Sequence, residues 1–235
     1  MYFRWLIRRM FALTGWTFLV AAVPLATQLP QFADDSADSS RASVSAQDES
    51  RTAAQKLLDE GLQLQKQGTA ESLRKAVVTL ESALPLWRTS GDRASEAKTL
   101  NYIASIEHNL SQPQKALDTN NKALLIWQDL GNKSWIAATL TAIGWNYQSM
   151  GELEKALEFY ERALPIRHAL EDKVGEAQAL NTIGTIHDTR GDSQRALDYY
   201  DRALPLARGD KRMEAYTLNN IAYAPIRTWR ESESA

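Results

Sequence analysis

The sequence predicts an all-α fold, a right-handed α-solenoid of stacked antiparallel helix pairs. Three observations predict it. A forty-residue period fills most of the chain, each period holds two amphipathic stretches, and the positions shared between periods are small or apolar. Gly91–Leu130, Gly131–Leu170 and Glu171–Arg208 align end to end. Leu100, Leu140 and Leu180 superpose, as do Ile103, Ile143 and Ile183. Ala116, Ala156 and Ala196 form one small column, and Ala123, Ala163 and Ala203 form another. A period of this length marks an array in which each unit buries its apolar face only against its neighbours.

The array is expected over 53–224, in units near 53–90, 91–130, 131–170 and 171–208, with a partial unit 209–224. The first unit is divergent, with Leu57, Gly61, Ala76 and Ala83 in place and a few extra residues between Gly68 and Ala76. In the third unit Ala137, Leu140, Ile143, Gly144 and Tyr147 recur at three- and four-residue spacing, on one face of a first helix. Ala156, Leu157, Tyr160, Ala163 and Leu164 do the same for a second. Small residues let the two helices approach, and Tyr147, Phe159 and Tyr160 fill the remaining volume. Gly151 and Gly191 suit helix ends that need positive φ. Glu152 and Asp192 follow where negative charge favours the next helix start. Pro85, Pro165 and Pro205 share one position, where a missing donor is expected to bend the second helix. Leu125 stands there in the second unit, which predicts a straighter helix.

The flanks differ from the array. Residues 1–33 carry Arg4, Arg8 and Arg9 and then a charge-free run from Met10. A basic start before an apolar run predicts an export signal, cleaved or retained as a membrane anchor through residues 10–29. The repeats would then lie outside the cytoplasm, periplasmic, extracellular or held at the membrane. Residues 34–52 are rich in Ser, Asp and Ala and are expected to be a flexible linker. At the other end Pro225 takes the position of Tyr147, and 225–235 reads as a polar tail. Residues 210–224 then serve as a capping helix, or the chain is a truncation of a longer one.

Composition narrows the function. The 235 residues hold 27 Lys+Arg against 29 Asp+Glu, a net charge of −2, which argues against nucleic acid as a partner. Cysteine is absent and His108, His168 and His187 fall at unrelated helix positions. No thiolate chemistry, zinc-thiolate site or His-rich metal site follows from such a set. No nucleophile-elbow, phosphate-loop or zinc-protease motif occurs. The expectation is a chain with no catalysis, no cofactor and no metal.

The pattern resembles the tetratricopeptide repeat, carried by Leu140, Ile143-Gly144, Tyr147, Gly151, Ala156, Tyr160 and Ala163, and in the next unit by Leu180, Ile183-Gly184, Gly191, Ala196, Tyr200 and Ala203. The forty-residue period is similar to the longer-helix type of kinesin light chains. The turn phrase and the repeated Ala-Leu-Pro resemble bacterial exported proteins in which such repeats precede a caspase-like CHAT domain. The missing cysteine removes the His/Cys site such a domain uses. That resemblance implies binding of a protein or extended peptide, association with a CHAT-type or other envelope protein, or a regulatory fragment of such a protein.

It also implies a concave groove lined by the first helix of each unit. Elimination of core positions leaves Leu58, Asn101, Thr141, Asn181 and Asn219 for that groove, with Leu62, Ser105, Trp145, Thr185 and Tyr223 beside them and Gln65, His108, Gln148 and Asp188 one turn on, and Lys98 is assigned to the groove next to Asn101. Asparagine amides both donate and accept, so such a column suits a peptide main chain. The same amides could instead satisfy neighbouring backbone and bind nothing. Trp145 and Tyr223 offer rigid contact area. Lys98 lacks basic counterparts at Thr141 and Asn181, which speaks against clamping a carboxylate terminus. Trp87 and Trp127 share one register position and are read as packing, with Trp135 beside them.

Overall fold

The computed structural model describes the backbone of residues 35–233, with side chains over 43–224. The chain divides into two compact units, Met1–Ser40 and Arg41–Ala235. Of the first, only the start of α1 is described. The signal or anchor expected over 1–33 lies outside the described residues. Among those described, no helix is long and apolar enough to cross a membrane.

Nine helices and no strand make up the described residues: α1 Asp35–Gln67, α2 Ala70–Ser90, α3 Arg93–Asn109, α4 Pro113–Asp129, α5 Lys133–Ser149, α6 Leu153–Ala169, α7 Lys173–Thr189, α8 Ser193–Ala207 and α9 Lys211–Glu233. Each helix from α2 to α9 packs on its chain neighbours, and α3 on α5 and α7 on α9. The core follows the small columns. Ala76, Ala116, Ala156 and Ala196 are all fully buried, as are Ala83, Ala123, Ala163 and Ala203.

Both flanks carry helix that the sequence reading did not assign. The segment 34–52, expected to be a flexible linker, is helical from Asp35. Its side chains from Ser43 to Glu49 are exposed, and burial begins at Ala54. The low apolar content was read correctly, but it governs burial rather than helix formation. The stretch lacks Gly and Pro, and Thr52 Oγ1 donates back to the Asp48 carbonyl at 2.9 Å within the helix. The polar tail from Pro225 onward is helical as far as Glu233, where α9 ends. A helix tolerates Pro225 as it tolerates Pro85, Pro165 and Pro205, which lie inside α2, α6 and α8. Those three prolines and Leu125 are all exposed, so the carbonyl each proline leaves without a donor can turn to solvent.

The turns repeat one device. Gly91, Gly131, Gly151, Gly191 and Gly209 all take positive φ, and a new helix begins two residues after each. Asp92, Asn132, Asp172 and Asp192 each accept a backbone N–H three residues on. Glu171 stands where the other inter-unit turns have glycine and is held at φ 55°. Glu171→Gly is expected to stabilise the array by roughly 1 kcal/mol, because a side chain in the left-handed region is strained. A urea midpoint that falls would contradict this.

A second device sets the spacing within pairs. A Cβ at Gly184 would lie 2.5 Å from Tyr200 Cε1, and one at Gly144 would lie 2.9 Å from Tyr160 Cε1. In the second unit the same positions hold Ala104 and the smaller Asn120, both buried. Volume is thus exchanged across the pair. Gly184→Ala gains about 1 kcal/mol of helix propensity but forces the Tyr200 ring aside, at a cost of about 1–3 kcal/mol. A net loss of stability in urea unfolding is expected, and an unchanged or raised midpoint would show that the ring yields freely.

Candidate functional site

The odd-numbered helices carry a common face. Residues 138, 142 and 145 of α5 and 178, 182 and 185 of α7 lie at i, i+4 and i+7, one stripe of each helix. Two cavities open along it. The smaller, about 160 Å³, is bounded by α3, α4 and α5, including Ser105, His108, Trp135, Trp145 and Asn146. The larger, about 470 Å³, includes Thr141, Gln148, Tyr160, Arg167, Gln178, Thr182, Thr185 and Tyr216. Ala138, Ala142 and Trp145 line both, so the two are parts of one groove.

Trp145 sits at the junction with 49% of its surface exposed. Its ring lies over that of His108, with centroids 3.8 Å apart. His108 Nδ1 is 2.7 Å from Asn146 Oδ1, an acceptor, so Nδ1 carries the proton and donates. In the larger cavity Tyr160 Oη donates to Gln148 Oε1 at 3.0 Å. Burial pushes the Tyr160 phenol well above its ordinary range, so it stays a donor. Arg167 gives Nη1 to Asp172 at 2.7 Å and Nη2 to Thr141 Oγ1 at 3.1 Å. It is the one charged side chain lining either cavity, and its charge is paired.

The expected groove residues separate into three groups. Ser105, His108, Thr141, Trp145, Gln148 and Thr185 line the groove. Asn101, Asn181 and Asp188 serve the interior. Asn101 lines the smaller cavity, but Nδ2 donates to Asn120 Oδ1 and Thr139 Oγ1, both at 3.1 Å, and Oδ1 accepts from Trp127 Nε1 at 2.8 Å. Asn181 is 0% exposed, and Nδ2 donates to the Ala177 carbonyl and to Thr217 Oγ1 at 2.7 Å. Asp188 is buried and accepts from Ser193 Oγ. Asn101 and Asn181 thus spend their amide bonds on neighbouring helices, Asn101 at the wall of the smaller cavity and Asn181 away from both cavities. Lys98, Asn219 and Tyr223 form the third group and line neither cavity. Asn219 keeps the register of Asn181, but no described helix follows α9 to cover it, so it is exposed.

Sequence reasoning missed Ala138, Ala142, Asn146, Gln178, Thr182, Tyr216 and Arg167. The stripe that lines both cavities lies one residue from the asparagine column, and a signal for this was present. Trp127 and Asn101 are 26 residues apart, as are Arg167 and Thr141, so the second helix reaches back to satisfy that column twice. Trp87 and Trp127 are packing residues as expected, 1% and 0% exposed. Trp127 stacks on Trp135 at 5.0 Å.

Two other titratable groups sit in the array. Burial holds the His187 imidazole below its ordinary value. Burial pushes the Glu107 carboxyl up, against a Thr119 hydrogen bond that pulls it down, and Oε2 is buried without a partner. A raised folded-state value means that folded protein holds this proton where unfolded protein has lost it. The stabilisation is present below the ordinary value of 4.5 and disappears as pH rises through the raised one. Glu107→Gln is expected to flatten the stability profile between those two values and to add about 1 kcal/mol at neutral pH. An unchanged profile by urea unfolding at several pH values would contradict it. Among the described residues no group of three or more His, Asp or Glu is placed to hold a metal ion.

Stacked helix pairs with a continuous groove along their first helices define a helical-repeat scaffold. The tetratricopeptide-repeat family profile matches residues 95–169 and 148–209, and this part of the chain is an array of tetratricopeptide repeats. Solved structures agree on the fold. One is the nearly identical TPR-like repeats of a Podosopora anserina protein described as a kinesin light chain, with TM-score 0.63, 14% identity, and coverage of 77% of this chain and 90% of that one. Another is BtubC (BKLC) from P. vanneervenii, with TM-score 0.64, 19% identity, and coverage of 84% and 85%. A third is aspartyl phosphate phosphatase F from Bacillus subtilis, with TM-score 0.64, 16% identity, and coverage of 73% of this chain but 45% of that one. No curated protein matches the chain significantly.

Proposed function

We propose that this protein is a noncatalytic scaffold that binds an extended segment of a partner protein along the groove of α3, α5, α7 and α9. One observation carries the reading: Trp145, half exposed, stands where two cavities meet on a face otherwise built of Ala, Thr and Gln. A large rigid aromatic over a small-residue floor suits an extended chain, and the neutral amides and hydroxyls suit its backbone. The lining has no unpaired charge, which supports a neutral segment over an acidic one. The basic and then apolar N-terminus supports export to the envelope or beyond. A CHAT-type or other envelope protein is the partner class that the sequence resemblance suggests.

Site-specific photocrosslinking tests the reading. A benzophenone amino acid in place of Ala138 is expected to capture a partner, and Trp145→Ala in the same chain should suppress the product. The same probe in place of Leu125, 64% exposed on α4, should capture little. Equal products from both positions would defeat the groove assignment.

A further inference from the structure

We propose that the smaller cavity is a side-chain subsite for a neutral carboxamide, the side chain of an asparagine or glutamine in the bound segment. This rests on the groove reading above and adds a chemical preference to it. The carrying observation is Asn146, which lines the cavity and is only 1% exposed. Its Nδ2 is buried without a hydrogen-bond partner. Its Oδ1 is held by His108 Nδ1–H at 2.7 Å, and the His108 ring lies against that of Trp145, tilted by 31°. Exchanging the amide's two ends would keep a bond only with the other His108 tautomer, and would leave Oδ1 in place of Nδ2 buried without a partner. A buried donor is left waiting for an acceptor, a state that costs free energy until one arrives.

The cavity selects among acceptors. At about 160 Å³ it has room for about five waters at ~30 Å³ each, comparable with a side chain of four or five heavy atoms. No charged side chain lines it, so a carboxylate would enter without a counter-charge. An aliphatic side chain would fill the space but leave the Asn146 donor unmade. A carboxamide meets both demands: its carbonyl accepts from Asn146 Nδ2, and Ser105, which also lines the cavity, supplies an acceptor for its NH₂. Trp135 and Trp145 provide flat walls for the planar group.

Panning a random dodecapeptide display library on the full chain tests this. Selected peptides are expected to share one position at which Asn or Gln is enriched. Replacing that residue by Glu or Met in a synthetic peptide should weaken binding about tenfold. Asn146→Leu keeps about the volume but removes the donor, and should bring the three peptides within about twofold. Asn146→Ala is the second variant, with the same expectation. Ala138→Arg should abolish binding of every peptide. Peptides that survive Ala138→Arg, or a library that yields none, would overturn the groove reading. Peptides lost with Ala138→Arg but lacking an Asn or Gln position, or keeping that preference in Asn146→Leu, would overturn the subsite alone.

Discussion

Replacing Trp127 by alanine is expected to cost about 3–5 kcal/mol of stability, the range for emptying a fully buried aromatic site. Three contributions act together. The indole is 0% exposed, so its removal leaves a cavity between α3, α4 and α5. The stack on Trp135 at 5.0 Å is lost. Asn101 Oδ1 loses its 2.8 Å donor while remaining between helices. Small domains have about 5–15 kcal/mol in total, so the loss is a large fraction. The effect should be local at first, because each unit of an array rests on its neighbours. Urea unfolding followed by far-UV circular dichroism measures it. A loss below about 1 kcal/mol would mean that the tryptophan column is not the seam between units.

Ala138→Arg is the second large expectation, and it should act on binding rather than on folding. Ala138 is exposed on α5 and lines both cavities, so an arginine there occupies the groove without entering the core. A peptide selected on the wild-type chain should lose at least about 30-fold in affinity, the equivalent of a hot spot of about 2 kcal/mol. Trp145→Ala should weaken it to a similar extent. Both variants should unfold within about 0.5 kcal/mol of wild type, as exposed substitutions usually do. Weak binding together with a collapsed urea midpoint would instead make Trp145 a structural residue.

The contrast between Trp127 and Trp145 shows what a single sequence conveys about such a fold. The repeat register was readable because small residues recur where helices must approach. Gly144 and Gly184 face Tyr160 and Tyr200, and the pairing shows even without coordinates as sixteen residues of constant separation. The packing role of Trp87 and Trp127 followed from their shared position. The groove was legible to within one residue. Trp145, Gln148, Thr185 and Ser105 line the two cavities, while the amides of Asn101 and Asn181 beside them, read for the same groove, bond to neighbouring helices. Period alone cannot distinguish a polar residue that meets solvent from one that meets the next helix. Asn101 and Asn181 resemble groove residues because both tasks need an amide with a donor and an acceptor. What decides is a partner elsewhere in the chain, Trp127 for one and Thr217 for the other. The helical state of Asp35 to Arg51 was hidden for a different reason. Hydrophobic periodicity detects helices that bury a face, and Ser43 to Glu49 bury none.

Hydrogen exchange of the full chain, with and without a library-selected peptide, tests the central claim most directly. The account predicts new protection on α3, α5 and α7 around residues 98–108, 138–148 and 178–185, with the outward helices α4, α6 and α8 unchanged. Protection confined to the even-numbered helices would contradict it.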